Sequence, residues 1–380
     1  MKILIVGAGP VGCYTAQLLK EKGFDSVLLE EHSTLGKPVQ CAGIVSSKLV
    51  LMIKSFISEE AIINGINGFS ISSPWVEDFS INIPGIACII NREEFDLNMG
   101  KDLDIRLDQR VSYIEKENNY YLLNTVQGET LKADILIGAD GPDSIVRNYM
   151  LENYSKNNSN INSRINYYFG MQYQIQLYED YPNISDDLIQ VFFDSNIPFF
   201  LWIISESKDK LRVGVVAENA KNILDGFIES KNIKGEIIDV IAGKIPMGFI
   251  PTYYNNIALV GDAACQIKPL TGGGLSYGIQ SARLLADCIQ EGHLNKYDQR
   301  WKRKFGKEIQ FGLKARNIYE NLDRKQRGKI FSLFKKNSHF IEQVVDFDNH
   351  SLLFKEAFKN PQLLFDAGKL LGYYIEDMLK

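Results

Sequence analysis

The sequence has few cysteines and histidines, and those it has are scattered. Its 380 residues include five cysteines and four histidines, and no two cysteines are spaced as C-x-x-C. This is not the pattern of a zinc site or an iron–sulfur cluster, so we expect no bound metal. An odd, dispersed set of cysteines is typical of a reducing compartment and indicates a cytoplasmic protein.

Strong net charge and long apolar runs are also missing. The net charge of −5 argues against nucleic acid as a partner. No run of about 18 apolar residues is present, and the apolar start at residues 1–6 is too short for a signal peptide. Any membrane contact is therefore expected to be peripheral, on the cytoplasmic face. The composition, 45% hydrophobic and 23% charged, allows two or three globular domains.

Glycines cluster at the first turn of the chain. Residues 3–6 are predicted to form a buried parallel strand and residues 11–22 a helix, with a G-x-G-x-x-G turn and Pro10 between them. In such a turn Gly7 permits the sharp bend, Gly9 lets the backbone approach a pyrophosphate, and Gly12 allows close packing of helix and strand. The free N–H groups and the helix dipole favour phosphates here.

An acidic residue supports the same interpretation. Glu30 ends the second predicted strand, at 26–30, where its carboxylate can accept hydrogen bonds from a ribose diol. A carboxylate at this position would repel a phosphate group on the 2′-oxygen of the ribose, which argues against a cofactor that carries one. This end of the chain therefore suits either FAD or NAD.

A second glycine-rich segment decides between the two cofactors. A strand-like run at 257–260 is followed by a glycine-rich segment that leads into an apolar helix at 275–289. The residues of this segment that we expect to contact the cofactor are Gly261, Asp262, Pro269, Gly272, Gly273 and Gly274. Asp262 can hold a ribityl or ribose hydroxyl. The three glycines bring bare backbone against a planar ring at a helix start, whose positive end would stabilise negative charge on a reduced flavin. Two unlike glycine turns at opposite ends of the chain indicate one large cofactor, FAD.

Two shorter segments add to the cofactor site. Residues 134–147 comprise a strand, a turn with Asp140 and a helix start. In residues 91–96, Arg92 either reaches the pyrophosphate or caps a helix.

The pattern changes between these segments. Residues 173–177 alternate with period two, and apolar, aromatic runs follow at 190–193 and 199–204, which predicts an antiparallel sheet inserted into the α/β domain. Residues 152–163, rich in Asn, Ser and Lys, are predicted to be a linker or loop. The predicted fold class is α/β plus β: a Rossmann-like FAD-binding domain (1–70, 88–155 and 245–295), an inserted antiparallel-sheet substrate domain (71–87 and 156–244) and a helical C-terminal region (296–380).

The four cofactor segments, in this order, resemble the flavoprotein hydroxylase superfamily, which has the fold of para-hydroxybenzoate hydroxylase. The resemblance covers about 1–45, 88–150 and 245–290 and implies FAD. It does not imply hydroxylation, because this fold hosts several chemistries.

The segment Gly36-Lys37-Pro38-Val39-Gln40-Cys41-Ala42-Gly43 resembles the G-x-P-V-x-C-x-G stretch of the geranylgeranyl reductase family. The resemblance implies that Cys41 lies beside the flavin ring, as the candidate catalytic residue for tuning or proton delivery, with Ala42 and Gly43 in the cofactor site. From the residues alone, Cys41 is equally a small buried hydrophobe.

That family also has an aromatic motif, P-x-x-Y-x-W-x-F-P, that lines its substrate tunnel. The counterpart at 198–205 lacks one residue, has Phe200 in place of the tyrosine, and ends in Ile-Ser instead of Phe-Pro. The resemblance implies an apolar tunnel for a polyprenyl chain, while the residues alone fit plain sheet core. The candidate substrate-binding residues are Phe192, Pro198, Phe200 and Trp202.

The leading functional hypothesis is saturation of prenyl (geranylgeranyl) double bonds of an isoprenoid lipid precursor by hydride from reduced FAD. The electron donor would be external, either NAD(P)H or a ferredoxin-like protein. One alternative is a flavin monooxygenase acting on an aromatic or small apolar molecule. Another is a non-catalytic flavoprotein that binds polyprenyl lipid.

The region 296–338 is basic in an otherwise acidic chain, with 14 Lys or Arg and 4 Asp or Glu among interleaved apolar residues. It is either a solvated helical face packed on the core or an amphipathic surface that docks on anionic headgroups.

Overall fold

Strands and helices alternate through the first half of the chain, and helices dominate its end. The computed structural model describes residues 1–157, 164–182, 184–194, 196–357 and 359. The strands are β1 (Ile3–Val6), β2 (Ser26–Leu29), β3 (Ile44–Ser46), β4 (Ile62–Ser73), β5 (Val76–Ile90), β6 (Asp104–Arg106), β7 (Val111–Glu117), β8 (Tyr120–Thr125), β9 (Thr130–Ala133), β10 (Ile135–Gly138), β11 (Asn166–Leu177), β12 (Leu188–Phe192), β13 (Leu201–Ser207), β14 (Lys210–Val216), β15 (Gly235–Met247), β16 (Tyr253–Tyr254) and β17 (Ile257–Leu259). The α-helices are α1 (Pro10–Glu21), α2 (Ser47–Met52), α3 (Arg92–Met99), α4 (Ile145–Asn157), α5 (Ala220–Ser230), α6 (Leu275–Gln290), α7 (Tyr297–Glu320), α8 (Arg324–Lys336), α9 (Ser338–Val344) and α10 (Ser351–Ala357).

A six-stranded sheet carries the first glycine turn. Its order is β16-β17-β10-β1-β2-β6, and every pair is parallel except β16 with β17. All four residues of β1 are apolar and buried, as expected for a central parallel strand covered on both faces. Helices α1 and α6 pack together on one face, and α4 lies on the other. The predicted Rossmann-like unit is confirmed.

An eight-stranded sheet forms the second layer. Its order is β15-β11-β14-β13-β12-β4-β5-β3, and every pair is antiparallel except β12 with β4. The predicted inserted antiparallel sheet is confirmed. Strands β4 and β5 belong to this sheet along their whole length, so the predicted domain limits at 70, 71, 87 and 88 fall inside strands.

The C-terminal helices pack against both layers. On α7 the apolar side chains Trp301, Phe305 and Ile309 are buried in the core of the first layer. Phe331 of α8 stacks on Trp75, which lies in the turn that joins β4 and β5; their ring centroids are 5.1 Å apart. The predicted helical C-terminal region is confirmed as far as residue 357. Most of its exposed side chains are basic or polar, although Ile318 of α7 is 54% exposed.

Two further expectations concern linkers and membranes. The predicted linker at 152–163 is wrong in its first part, since α4 continues to Asn157; residues 158–163 lie outside the described residues. Within the described ranges, no helix is both long enough and apolar enough to cross a membrane.

Candidate functional site

The first glycine turn has room for a ligand on one side only. Gly7 has φ +97°, and a Cβ there would lie 2.4 Å from the carbonyl oxygen of Ala139. A Cβ on Gly12 would lie 2.1 Å from the carbonyl oxygen of Gly7. By contrast, a Cβ on Gly9, the N-cap of α1, would meet nothing within 4 Å. Gly7 and Gly12 therefore pack the turn against the sheet, and Gly9 exposes bare backbone to open space.

Glu30 fixes the geometry of this turn. Its Oε2 accepts a hydrogen bond from the Ala8 amide at 2.8 Å, and its Oε1 accepts one from the His32 amide at 3.1 Å. His32 Nδ1 also lies 2.6 Å from Oε1. Since a carboxylate has about four acceptor positions, Glu30 has about one left for a ribose hydroxyl. Pro10 is the first residue of α1, where its missing N–H costs no helical hydrogen bond.

Asp140 follows β10 and holds the start of α4. It accepts hydrogen bonds from the Ser144 hydroxyl at 2.5 Å and from the Val146 amide at 3.2 Å. Burial raises the pKa of Asp140, and these hydrogen bonds act against the rise. The acid is thus part of the local structure at the edge of the cofactor site.

Asp262 lies where the second glycine segment meets its helix. Gly261, with φ +65°, turns the chain after β17, and a Cβ on Gly274 would lie 2.7 Å from Asp262 Oδ1. The carboxylate therefore sits against the start of α6. Burial raises its pKa to about 6, against the opposing charges of Arg92 and Arg147.

A buried lysine organises the three-glycine loop. The Lys268 amide donates to the Gly273 carbonyl at 3.0 Å, and the Lys268 carbonyl accepts from the Gly272 amide at 2.8 Å. Its ammonium donates to the Phe347 carbonyl at 2.9 Å and to Asp348 Oδ1 at 3.1 Å. Burial lowers the pKa of Lys268, although Asp348 acts in the opposite direction. This ion pair ties the loop to the C-terminal region.

Arg316 of α7 joins the loop to the aromatic run. Its guanidinium donates to the carbonyls of Pro269, of Leu270 at 2.9 Å and of Pro198 at 3.0 Å. It also lies 3.3 Å from the centroid of the Phe199 ring. The glycine loop and the first aromatic residues are therefore held at a fixed separation.

The residues present fit FAD. Bare backbone at Gly9 faces open space at a helix N-terminus, which is the environment that a pyrophosphate requires. Glu30 would receive the ribose, and Asp262 would receive a hydroxyl at the flavin end. At Gly272–Gly274 a Cβ would meet protein atoms at 2.7–3.2 Å, so local packing accounts for these glycines, and their contact with a flavin ring stays a prediction.

Cys41 lies among charged side chains. The Gly43 amide donates to its Sγ at 3.4 Å, and the Arg92 guanidinium is near enough to interact with it electrostatically. Arg92 Nη2 donates to Asp96 Oδ2 at 2.9 Å, one turn later on α3. Asn91, not Arg92, caps α3 by accepting from two amides of its first turn. The capping alternative for Arg92 is therefore wrong, and its contact with a pyrophosphate stays a prediction.

The two residues after Cys41 face the second sheet. Arg212 of β14 donates from Nη1 to the Ala42 carbonyl at 2.8 Å. A Cβ on Gly43, which has φ +76°, would lie 2.0 Å from the same nitrogen. The structure thus explains both residues without a cofactor contact.

Most of the aromatic run lies together. Phe200 is 6.1 Å from Trp202 and 6.3 Å from Phe199, measured between ring centroids, and all three belong to one apolar cluster. The Trp202 indole donates to Gln172 Oε1 at 2.8 Å, and its ring covers Gly214, where a Cβ would be 2.2 Å from Cζ2. This apolar cluster borders the glycine loop, since a Cβ on Gly272 would be 3.9 Å from Phe199.

Phe192 is separated from this cluster. It packs against Phe227 of α5, with 5.0 Å between ring centroids, in the core on the opposite face of the sheet. Val191, not Phe192, is paired with Trp202 across β12 and β13. Because side chains alternate between faces along a strand, Phe192 and Trp202 project from opposite faces of the sheet and cannot line one binding site.

Sequence reasoning missed four residues of the site: Asp96, Arg212, Lys268 and Arg316. The spacing of Asp96 four residues after Arg92 on a predicted helix was a usable signal. Arg212 and Arg316 belong to no motif, and Lys268 lies inside the second glycine-rich segment without a role that the segment indicates. Each of the three donates to backbone carbonyls distant in the chain. No sequence signal could have found them.

Comparison with known proteins agrees with this geometry. The family model described as FAD binding domain matches residues 1–62 and 103–292. An uncharacterized protein of Methanocaldococcus jannaschii is 32% identical, over 94% of this chain and 95% of the relative. Digeranylgeranylglycerophospholipid reductase 3 of Methanosphaera stadtmanae is 26% identical, over 84% and 87%.

A solved structure has the same fold. A geranylgeranyl bacteriochlorophyll reductase-like protein from Thermoplasma acidophilum superposes with a TM-score of 0.76 at 20% identity, over 97% of this chain and 98% of that one. The cofactor is FAD. The chain belongs to the FAD binding domain family and is an FAD-dependent oxidoreductase.

Proposed function

We propose that the protein is an FAD-dependent reductase that saturates prenyl (geranylgeranyl) double bonds of isoprenoid lipid precursors. The observation that carries the proposal is the apolar cluster of Phe199, Phe200 and Trp202 directly beside the glycine loop at Gly272. The relatives named digeranylgeranylglycerophospholipid reductases support the same substrate class.

The apolar cluster suits a substrate without polar groups. A prenyl chain offers only hydrocarbon, and each CH₂ that it buries contributes about 0.8 kcal/mol to binding. The cluster also excludes water, and an unactivated alkene needs water exclusion and close positioning more than it needs polar contacts. Pro198, Phe200 and Trp202 are proposed to contact the prenyl chain; Phe192 is not.

Saturation of an alkene adds a hydride to one carbon and a proton to the other. FAD, when bound and reduced, supplies the hydride chemistry. The side chains of this protein must then hold the substrate, keep water out and deliver the proton. We assign the proton to Cys41 Sγ, which accepts from the Gly43 amide and has the positive charge of Arg92 nearby. Asp96 in turn orients Arg92 through two hydrogen bonds.

The proposal is tested without oxygen. Protein reduced with dithionite is mixed with geranylgeranyl lipids, and the products are analysed by mass spectrometry. A gain of two hydrogens per double bond is expected. Products that gain one oxygen atom, only when oxygen and NAD(P)H are present, would show a monooxygenase. Flavin binding without any turnover would show a lipid-binding flavoprotein. Replacing dithionite by NAD(P)H or by reduced ferredoxin identifies the external donor.

The basic outer face of the C-terminal region suggests contact with anionic headgroups. Basic side chains on this face line a cavity of about 710 Å³, among them Lys296, Arg300, Arg303 and Lys304. Since Trp301, Phe305 and Ile309 of α7 are buried and only Ile318 among its large apolar side chains is exposed, such contact would be chiefly electrostatic and peripheral. We expect binding to anionic liposomes that decreases with salt; no binding at low salt would refute it.

A further inference from the structure

A buried arginine reaches from the substrate sheet to the turn that carries Cys41. Arg212 of β14 has 7% of its surface exposed. It donates from Nη1 to the Ala42 carbonyl at 2.8 Å and from Nη2 to the Ile90 carbonyl at 3.2 Å. Its guanidinium therefore bridges two segments that flank Cys41 in space.

The arginine is itself held rigidly. Its Nε donates to Glu206 Oε1, and Glu206 Oε2 accepts from Gln174 Nε2 at 2.6 Å. Glu206 and Gln174 lie on β13 and β11, the two strands that flank β14. Side chains from three neighbouring strands thus fix the orientation of the guanidinium toward the turn that carries Cys41.

Stability alone does not account for this arrangement. A buried ion pair is often replaced by apolar residues without loss of stability. Here the planar guanidinium of Arg212 donates to the carbonyls of Ala42 and Ile90 from two different nitrogens. A lysine has a single nitrogen and could not take up this geometry. Gly43 is the residue that leaves space for the guanidinium, because a Cβ would lie 2.0 Å from Arg212 Nη1.

Trp202 of the apolar cluster lies on the same face of the sheet as Arg212. Gly214, over which the Trp202 ring lies, follows Arg212 by two residues and so projects to the same side of the sheet. Arg212 therefore shares this face with Trp202 and is hydrogen-bonded to the turn at Cys41.

We propose that Arg212 is a positioning residue that fixes the turn carrying Cys41 relative to the apolar cluster at Trp202. Gly43 is required because any larger residue there would displace the Arg212 guanidinium. The part of Cys41 in reduction rests on the proposed function, whereas the clamp itself is testable without turnover. Its partner Glu206 holds Arg212 in the required orientation.

The test uses the FAD-loaded full chain with Arg212→Met and Glu206→Gln combined, so that no buried charge is left alone. Iodoacetamide labelling of Cys41 is followed by peptide mass spectrometry, with Cys88, also partly exposed, as the internal reference. We expect Cys41 to be labelled about tenfold faster, the factor that the net loss of one to two hydrogen bonds gives, and Cys88 to be unchanged. The matched control is Arg106→Met with Glu129→Gln, a more exposed arginine–glutamate pair.

The outcomes separate the clamp from the enzyme activity. A folded double variant whose Cys41 is labelled at the wild-type rate overturns the proposal. If that variant does not fold, Arg212→Lys, which keeps the charge but not the guanidinium, must give faster labelling of Cys41; an unchanged rate overturns the proposal equally. Absence of prenyl reduction in the wild type would refute the proposed function and leave the labelling result intact.

Discussion

The sharpest prediction concerns two glycines of the first turn, Gly9 and Gly12. In Gly12→Ala the new Cβ would stand 2.1 Å from the Gly7 carbonyl oxygen, whereas ordinary contact begins at 3.4 Å. Because both groups are backbone or fixed to it, α1 must move by about 1.3 Å away from β1. Overpacking of this kind costs about 1–3 kcal/mol. The free energy of unfolding of the FAD-free protein should fall by that amount.

Gly9→Ala should behave in the opposite way. Its Cβ meets no protein atom within 4 Å, and the backbone at φ −65°, ψ 173° accepts alanine. Stability of the FAD-free protein should therefore change by less than about 0.5 kcal/mol. The methyl group would occupy the space proposed for the pyrophosphate, so the Kd for FAD should rise.

Both variants are measured by urea unfolding without FAD and by titration with FAD followed by flavin fluorescence. Gly65→Ala is the control, since a Cβ there also meets nothing within 4 Å and Gly65 lies on β4 of the other sheet. Unchanged FAD affinity in Gly9→Ala, or unchanged stability in Gly12→Ala, would refute the reasoning about this turn.

Three other predictions follow from the buried charges and the thiol. Asp348→Asn leaves the Lys268 ammonium buried without its carboxylate and should cost about 3–5 kcal/mol in urea unfolding; Lys268→Met combined with Asp348→Asn should cost less, and an equal cost would contradict the pairing. The pKa of Asp262 is raised to about 6 in the folded protein, so the folded state binds more protons than the unfolded state between about pH 4 and 6, and stability should fall as pH rises through that window. Asp262→Asn should flatten that part of the FAD-free stability profile, and an identical profile would refute the shift. Cys41→Ala should retain FAD, as judged by its absorbance, and lose most prenyl reduction; full activity would exclude Cys41 as the proton source.

The cofactor end of the protein was predictable because its signals are local. A glycine turn between a strand and a helix, and an acid at the end of the next strand, are constraints between neighbours in the chain. Gly7, Gly12 and Glu30 accordingly occupy the places that their spacing predicts. The inserted sheet was predictable for the same reason, from alternation within single strands.

The substrate end was less predictable, since its contacts join distant segments. Val191 and Phe192 are both apolar. Because polar and apolar residues do not alternate in this run, the sequence does not indicate which of the two side chains projects to which face of the sheet. Register with β13 decides the matter, and it places Val191 opposite Trp202. Arg212 and Arg316 bind backbone carbonyls, which every residue has, so their partners leave no trace in the sequence.

The central claim is that reduced flavin and a prenyl double bond react beside the apolar cluster of Phe199, Phe200 and Trp202. The most direct measurement is an anaerobic single turnover, in which flavin absorbance and lipid mass are followed together after reduced protein meets a geranylgeranyl lipid. Reoxidation of the flavin should accompany the gain of two hydrogens per double bond, at one flavin per double bond. Flavin that stays reduced in the presence of the lipid, or that reoxidises only when oxygen is admitted, would contradict the account.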